Sequence, residues 1–193
     1  MPLKLFMLLL GCTPPGRNTE QHDVYFTIST SIRDTVPEII NFWPEANGRI
    51  HIDAWREITT IDNYKVEIAL RDTKNKTAEI QERKLFFINL GGYKENEFDE
   101  FHYKLVVPAL DKSSAILNAK QTAFYKHTRF KGAESHIDDK FGIDVDDIFE
   151  VDEILPVDIK HKYSIRLLAI NAVSDEEAEP DELHLGYFKL NNL

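Results

Sequence analysis

The chain has 193 residues, 42% of them hydrophobic and 11% aromatic, enough for one good-sized core or two small ones. Its 33 acidic residues against 23 basic ones give a net charge of −10. That balance argues against a nucleic-acid surface and an anionic membrane surface, both of which need clustered Lys and Arg. No run reaches the roughly 18 consecutive apolar residues of a membrane span, and the one cysteine makes no internal disulfide.

The first element is KLFMLLLG, Lys4–Gly11, stopped by the turn formers of Cys-Thr-Pro-Pro-Gly. A bacterial lipoprotein signal ends in a similar way, but it needs a longer apolar core of about 7–15 residues. The stretch also recurs as KLFFINLG at Lys84–Gly91, an offset of 80, at which Glu20 matches Glu100 and His22 matches His102. Seven of the 19 positions from Lys4 to His22 are identical in the second copy. A mid-chain copy is neither a signal nor a lipidation site. Both copies are therefore read as buried strands, Cys12 as a turn residue, and the chain is expected in the cytoplasm.

Next, His22–Ser29 alternates, with Val24, Phe26 and Ile28 on one face, and predicts a half-buried strand. In SIRDTVPEIINFW, Ser31 and Asp34 resemble a capping box, and Ile32, Val36, Ile39, Ile40 and Trp43 fall at helical spacing. Pro37 requires a kink or a later start with the proline in the first turn. After the Asn47-Gly48 turn, Ile50–Ala54 and Tyr64–Leu70 predict strands, and the polar Arg71–Glu82 connects the copies. The second copy predicts strands Lys84–Leu90 and Tyr103–Val107, then a helix from Asp111 as N-cap through His127. Strands Asp146–Leu155 and Tyr163–Ile170 follow. Asp175–Glu182 is a solvated acidic loop, and LHLGYFKLNNL a closing strand. The expected fold is α+β: a duplicated β-β-α-β-β unit forming a mainly antiparallel sheet with two helices. The first repeat unit spans 1–76 and the second 77–193, packed as one globular body.

The polar residues that recur are the candidates for chemistry. Glu-x-His occurs at Glu20/His22 and Glu100/His102, and His-x-Asp at His51/Asp53 and His136/Asp138. On an extended segment, positions i and i+2 share a side, which suits a His–carboxylate hydrogen bond or two ligands of a metal site. Strand parity argues against one four-residue cluster. His22 lies on the face of Val24, Phe26 and Ile28, whereas His51 and Asp53 lie opposite Ile50 and Ile52, so if both apolar sets face one helix the pairs diverge. In the second copy, His102 lies opposite Tyr103, Leu105 and Val107. A bulge or a slipped register would reconcile the two. Without one, the pairs are read first as devices that hold loop ends.

Other signals are weaker. Arg17 among turn formers suits an anion, but the second copy has acidic residues there. Gly91-Gly92 lacks a nucleotide loop's spacing, and no Gly-x-Ser-x-Gly or His-Glu-x-x-His pattern occurs. Trp43 and Trp55 read as packing residues. Asp144–Glu153 reads as a strand with a solvated face, without the register of a calcium loop.

KLFMLLLG, GRNTEQHDVYF, NFWPEANGRIHIDAWREI, KLFFINLGGY and EFHYKLVV together resemble the small bacterial family known as domain of unknown function 1543. The resemblance covers nearly the whole chain and implies a bacterial source and one or two copies of the domain. It implies no activity, cofactor or catalytic residue.

Two functions follow as expectations. The first is a non-enzymatic binding or assembly module, acting through an open sheet edge or face, for which a homodimer is the commonest solution. The second is a small-molecule or divalent-metal protein, including a metal-dependent enzyme, using Glu20, His22, His51, Asp53, Glu100, His102, His136 and Asp138. Convergence of those side chains favours the second, and their dispersal on opposite sheet faces favours the first.

Overall fold

The computed structural model describes residues 2–71, 83–93, 96–121, 144–170 and 180–193. The chain divides into two compact units. One comprises Met1–Lys74 with Ile154–Leu193, and the other Asn75–Glu153. The units do not coincide with the halves 1–76 and 77–193, because the C-terminal segment sits with the first. The fold is α+β and its strand pairs are antiparallel, but among the described residues they form three sheets rather than the one expected.

In the first unit, β1 (Lys4–Cys12) lies between β2 (Gln21–Ser29) and β3 (His51–Ile58), and β10 (His184–Lys189) pairs with the outer side of β3. An apolar run suits this central position because both faces of β1 are covered. Phe6, Leu8, Leu10 and Cys12 point into a core with Tyr25, Ile39, Ile50 and Ile52, while Leu5 on the other face is equally buried. The core is closed by α1 (Val36–Phe42), which begins after a 3-10 turn at Arg33–Thr35 and carries Pro37 in its first turn. Of the two expectations for Pro37 the later start holds, since a proline in the first turn lacks only an N–H that has no intrahelical partner. Ser31 and Asp34 bond to each other, but the expected capping box does not form: the 3-10 turn starts from Ile32 and α1 from Thr35, neither with a side-chain cap. A second sheet joins β4 (Thr60–Ile61), β5 (Tyr64–Leu70) and β9 (Tyr163–Ala169). The two tyrosine strands matched as repeats thus pair with each other, Tyr64 opposite Ala169 and Leu70 opposite Tyr163.

In the second unit, β6 (Lys84–Tyr93) lies between β7 (Glu100–Ala109) and β8 (Asp144–Glu150), the order of the first three strands again. Its core joins Phe86, Ile88, Leu90, Leu105 and Val107 to Ala115 and Ala119 of α2 (Lys112–Lys120). The acidic run expected as one strand to Leu155 is β8 only to Glu150, and α3 (Val151–Ile154) follows. A further short helix, α4 (Val157–Lys162), leads into β9.

Asp111 caps α2 as expected: its carboxylate accepts from the Ser114 N–H at 2.7 Å, and the Ser114 hydroxyl accepts from the Asp111 N–H at 3.2 Å. The Ser114 N–H, and then its hydroxyl, hold the Asp111 carboxyl below the usual carboxylate range. A carboxylate with a lowered folded-state pKa stabilises above its unfolded value and stops doing so as pH falls through the folded one. Asp111→Ala is expected to lower the urea midpoint at neutral pH. The gap between the proteins should shrink below pH ~4, the ordinary Asp value. An unchanged gap in acid would show that the carboxylate is not the stabilising group.

Candidate functional site

Gly11, near the end of β1, pairs with His22 on β2 and with His51 on β3, so both histidines flank it on one face of the sheet. One step along β1 the register with β3 shifts. Leu9 pairs with Ala54 and Leu10 with Ile52, and Asp53 bulges between them with no partner on β1. Glu20 enters from the β1–β2 loop, one residue before β2. These four residues, which strand parity had separated, converge. His22 Nε2 lies 3.1 Å from Asp53 Oδ2 and 3.6 Å from Glu20 Oε2, and His51 Nε2 lies 3.1 Å from Glu20 Oε1 and 3.2 Å from Asp53 Oδ1.

The parity expectation fails for a definite reason. Both faces of this sheet are buried, so Val24, Phe26 and Ile28 lie on the face away from α1, whereas Ile50 and Ile52 lie on the face towards it. His22 and His51 therefore share the far face with Gly11. Cys12, one residue on, points into the α1 core, where burial raises its thiol pKa, and it takes no part in the cluster.

The donor atoms are at contact distance but do not satisfy one another. His51 Nε2 and Asp53 Oδ2 are buried and make no hydrogen bond, although each lies within 3.2 Å of an ion-pair partner. The His51 side chain is only 6% exposed and Asp53 26%, while His22 and Glu20 are 41% and 43% exposed, so the cluster has a buried floor and an open side. A β-carbon on Gly11 would lie 2.6 Å from His51 Nε2 and still closer to Asp53 Oδ2, so only glycine leaves room for the cluster.

The C-terminal strand holds the floor in place. Tyr187 of β10 packs its ring on His51 at 4.1 Å between centroids, and His184 stacks on Trp55 at 3.8 Å. Sequence reading did not connect these residues to the site, since nothing local indicates that β10 adds to β3. An open groove of about 820 Å³, with Arg17, Trp43 and Phe42 in its walls, runs past His22.

In the second unit the same positions around Gly91 carry a related set. Gly91 pairs with His102 on β7 and with Asp144 on β8, and a register shift between Asn89 and Leu90 makes Asp146 the bulged residue. His102 Nε2 lies 3.3 Å from Asp146 Oδ2 and 3.9 Å from Glu100 Oε2. Sequence reading chose His136 and Asp138 as the counterparts of His51 and Asp53. Those two lie outside the described residues, and the register assigns the equivalent positions to Asp144 and Asp146. The signal was present in the sequence: Asp-Val-Asp at 144–146 repeats the form of His-Ile-Asp at 51–53 with one ligand type exchanged.

Residues 17–68 match the model of the family described as Domain of Unknown Function (DUF1543), in agreement with the resemblance read from the sequence. That segment contains Glu20, His22, His51 and Asp53. A crystal structure of a protein, Il1583, from Idiomarina loihiensis has a similar fold, with a TM-score of 0.60, 23% identity and 97% of each chain covered. No curated relative matches the chain. Among the described residues, no helix is long and apolar enough to cross a membrane.

Proposed function

We propose that the first unit binds a divalent first-row transition ion through His22 and His51 Nε2 and the carboxylates of Glu20 and Asp53. The observation that carries this is the spacing of the donors. Atoms bonded about 2.1 Å from one ion lie roughly 3.0 Å apart at right angles and roughly 3.4 Å apart in a tetrahedron. Here each histidine Nε2 lies 3.1 to 3.6 Å from one oxygen of both carboxylates, the two histidines facing opposite oxygens of each, so an ion between them would draw the four groups inward by a small side-chain adjustment. Two imidazoles and two carboxylates, without thiolate, form a borderline donor set of the kind that takes Zn²⁺, Co²⁺, Ni²⁺ or Fe²⁺. An ion would also bond the buried His51 nitrogen and Asp53 oxygen, which make ion-pair contacts but no hydrogen bond.

Of the two functions expected from the sequence, convergence supports the metal-binding one. The exposed side of His22 and Glu20 leaves the ion an outward face where an exogenous oxygen ligand can bind. An ion with such a face polarises an oxygen ligand bound there, so this geometry supports metal-dependent binding of a small oxygen-donor molecule ahead of a purely structural site.

Zn²⁺ titration by calorimetry on chelator-stripped protein, untagged, tests the reading. Wild type should show a tight event that His51→Ala and Glu20→Gln each weaken at least about a hundredfold, more than loss of a mere supporting residue costs. Unchanged far-UV circular dichroism would show that both variants still fold. Equal binding by wild type and both variants, or none by wild type, would overturn it.

A further inference from the structure

We infer that Glu100, His102 and Asp146 form a second divalent-cation site, harder in its preference than the first. One donor atom from each of the three residues lies within 4.8 Å of the other two. A β-carbon on Gly91 would lie 2.9 Å from Asp146 Cγ and closer still to Asp146 Oδ2, so the strand again carries glycine where the carboxylate turns in. Glycine, cross-strand histidine and bulged aspartate thus occur together twice in this chain, each time with a glutamate two residues before the histidine. A surface ion pair requires neither the bulge nor the glycine; a site that gathers ligands from two strands across the one between them uses both.

The differences from the first site set the ion class. The position across from Gly91 on β8 belongs to Asp144, where the first unit has His51, so only one imidazole occupies these positions. Carboxylate-rich donor sets favour Mn²⁺, Mg²⁺ or Ca²⁺ over Zn²⁺. A single imidazole selects Mn²⁺ among these. All three side chains are about a third or more exposed, so this site binds more weakly than one with a buried floor.

The site stands without the first, and the test is built to keep the two apart. In a Glu20→Gln, His51→Ala, Asp53→Asn background, Mn²⁺ is titrated into chelator-stripped protein and free ion is read by electron paramagnetic resonance. The background protein should remove one Mn²⁺ per chain from the free signal, and adding His102→Ala or Asp146→Asn should weaken that uptake at least tenfold. If the triple variant is unfolded by circular dichroism, His102→Ala alone should lower the Mn²⁺ uptake of the otherwise wild-type chain by one equivalent. No uptake by the folded background, or uptake that neither added substitution changes, would overturn the second site whatever becomes of the first.

Discussion

Gly11→Ala should fold normally and lose metal binding. A glycine inside a strand costs roughly 0.5–1 kcal/mol relative to alanine, so the substitution by itself favours the folded chain. Gly11 does not have the positive φ that would make alanine strained. The added methyl meets Asp53 Oδ2 and His51 Nε2, which are the ends of side chains rather than backbone. Those ends must move, and they are the proposed ligands.

Stability within about 1 kcal/mol of wild type is therefore expected in urea, with Zn²⁺ affinity lower by at least about a hundredfold. The two readouts separate a site from a packing contact. If the glycine merely relieved crowding in a structural cluster, alanine would lower stability and there would be no metal affinity to lose. Wild-type Zn²⁺ affinity in the alanine variant would contradict the geometry outright. Gly91→Ala should leave this first site untouched.

Much of the site was legible in the sequence, and the part that was not has a physical cause. The repeat singled out Glu20, His22 and their counterparts, and His-Ile-Asp marked His51 and Asp53. What misled was the inference from alternation to direction. An alternating strand identifies two faces but not which of them meets the helix, and here both are buried, so Val24 and Ile52 report opposite sides. The bulge at Asp53 also reverses the phase of β3, which is why Ile52 and Trp55 both pack on the core despite odd spacing. Nothing in a local pattern announces a bulge. For the second unit, matching letters drew attention to His136, whereas pairing across Gly91 depends on register and selects Asp144–Asp146. The three separate sheets and the pairing of β10 with β3 are long-range choices, made by which edges are available rather than by composition.

At free Zn²⁺ about a thousandfold above its dissociation constant, the wild-type chain should gain about 4 kcal/mol of unfolding free energy over the chelated protein. The gain arises because the proposed ligands come from β2, β3 and the loop before β2, and unfolding separates them. Asp53→Asn, with affinity at least about a hundredfold lower, should cut that gain to about 1.4 kcal/mol or less while leaving the chelated protein within about 1 kcal/mol of wild type, since the amide keeps the shape of the carboxylate. Asp53 Oδ2 makes no hydrogen bond that the substitution could break. A structural ion pair predicts the reverse pattern: Asp53→Asn would destabilise equally with and without Zn²⁺, because its partners would be the histidines themselves. Urea unfolding of the two proteins in chelator and in Zn²⁺ decides between them. If only the Zn²⁺ arm separates the two proteins, the carboxylate acts through the ion. If both arms separate them equally, the cluster is a clasp on the sheet end and the metal reading falls.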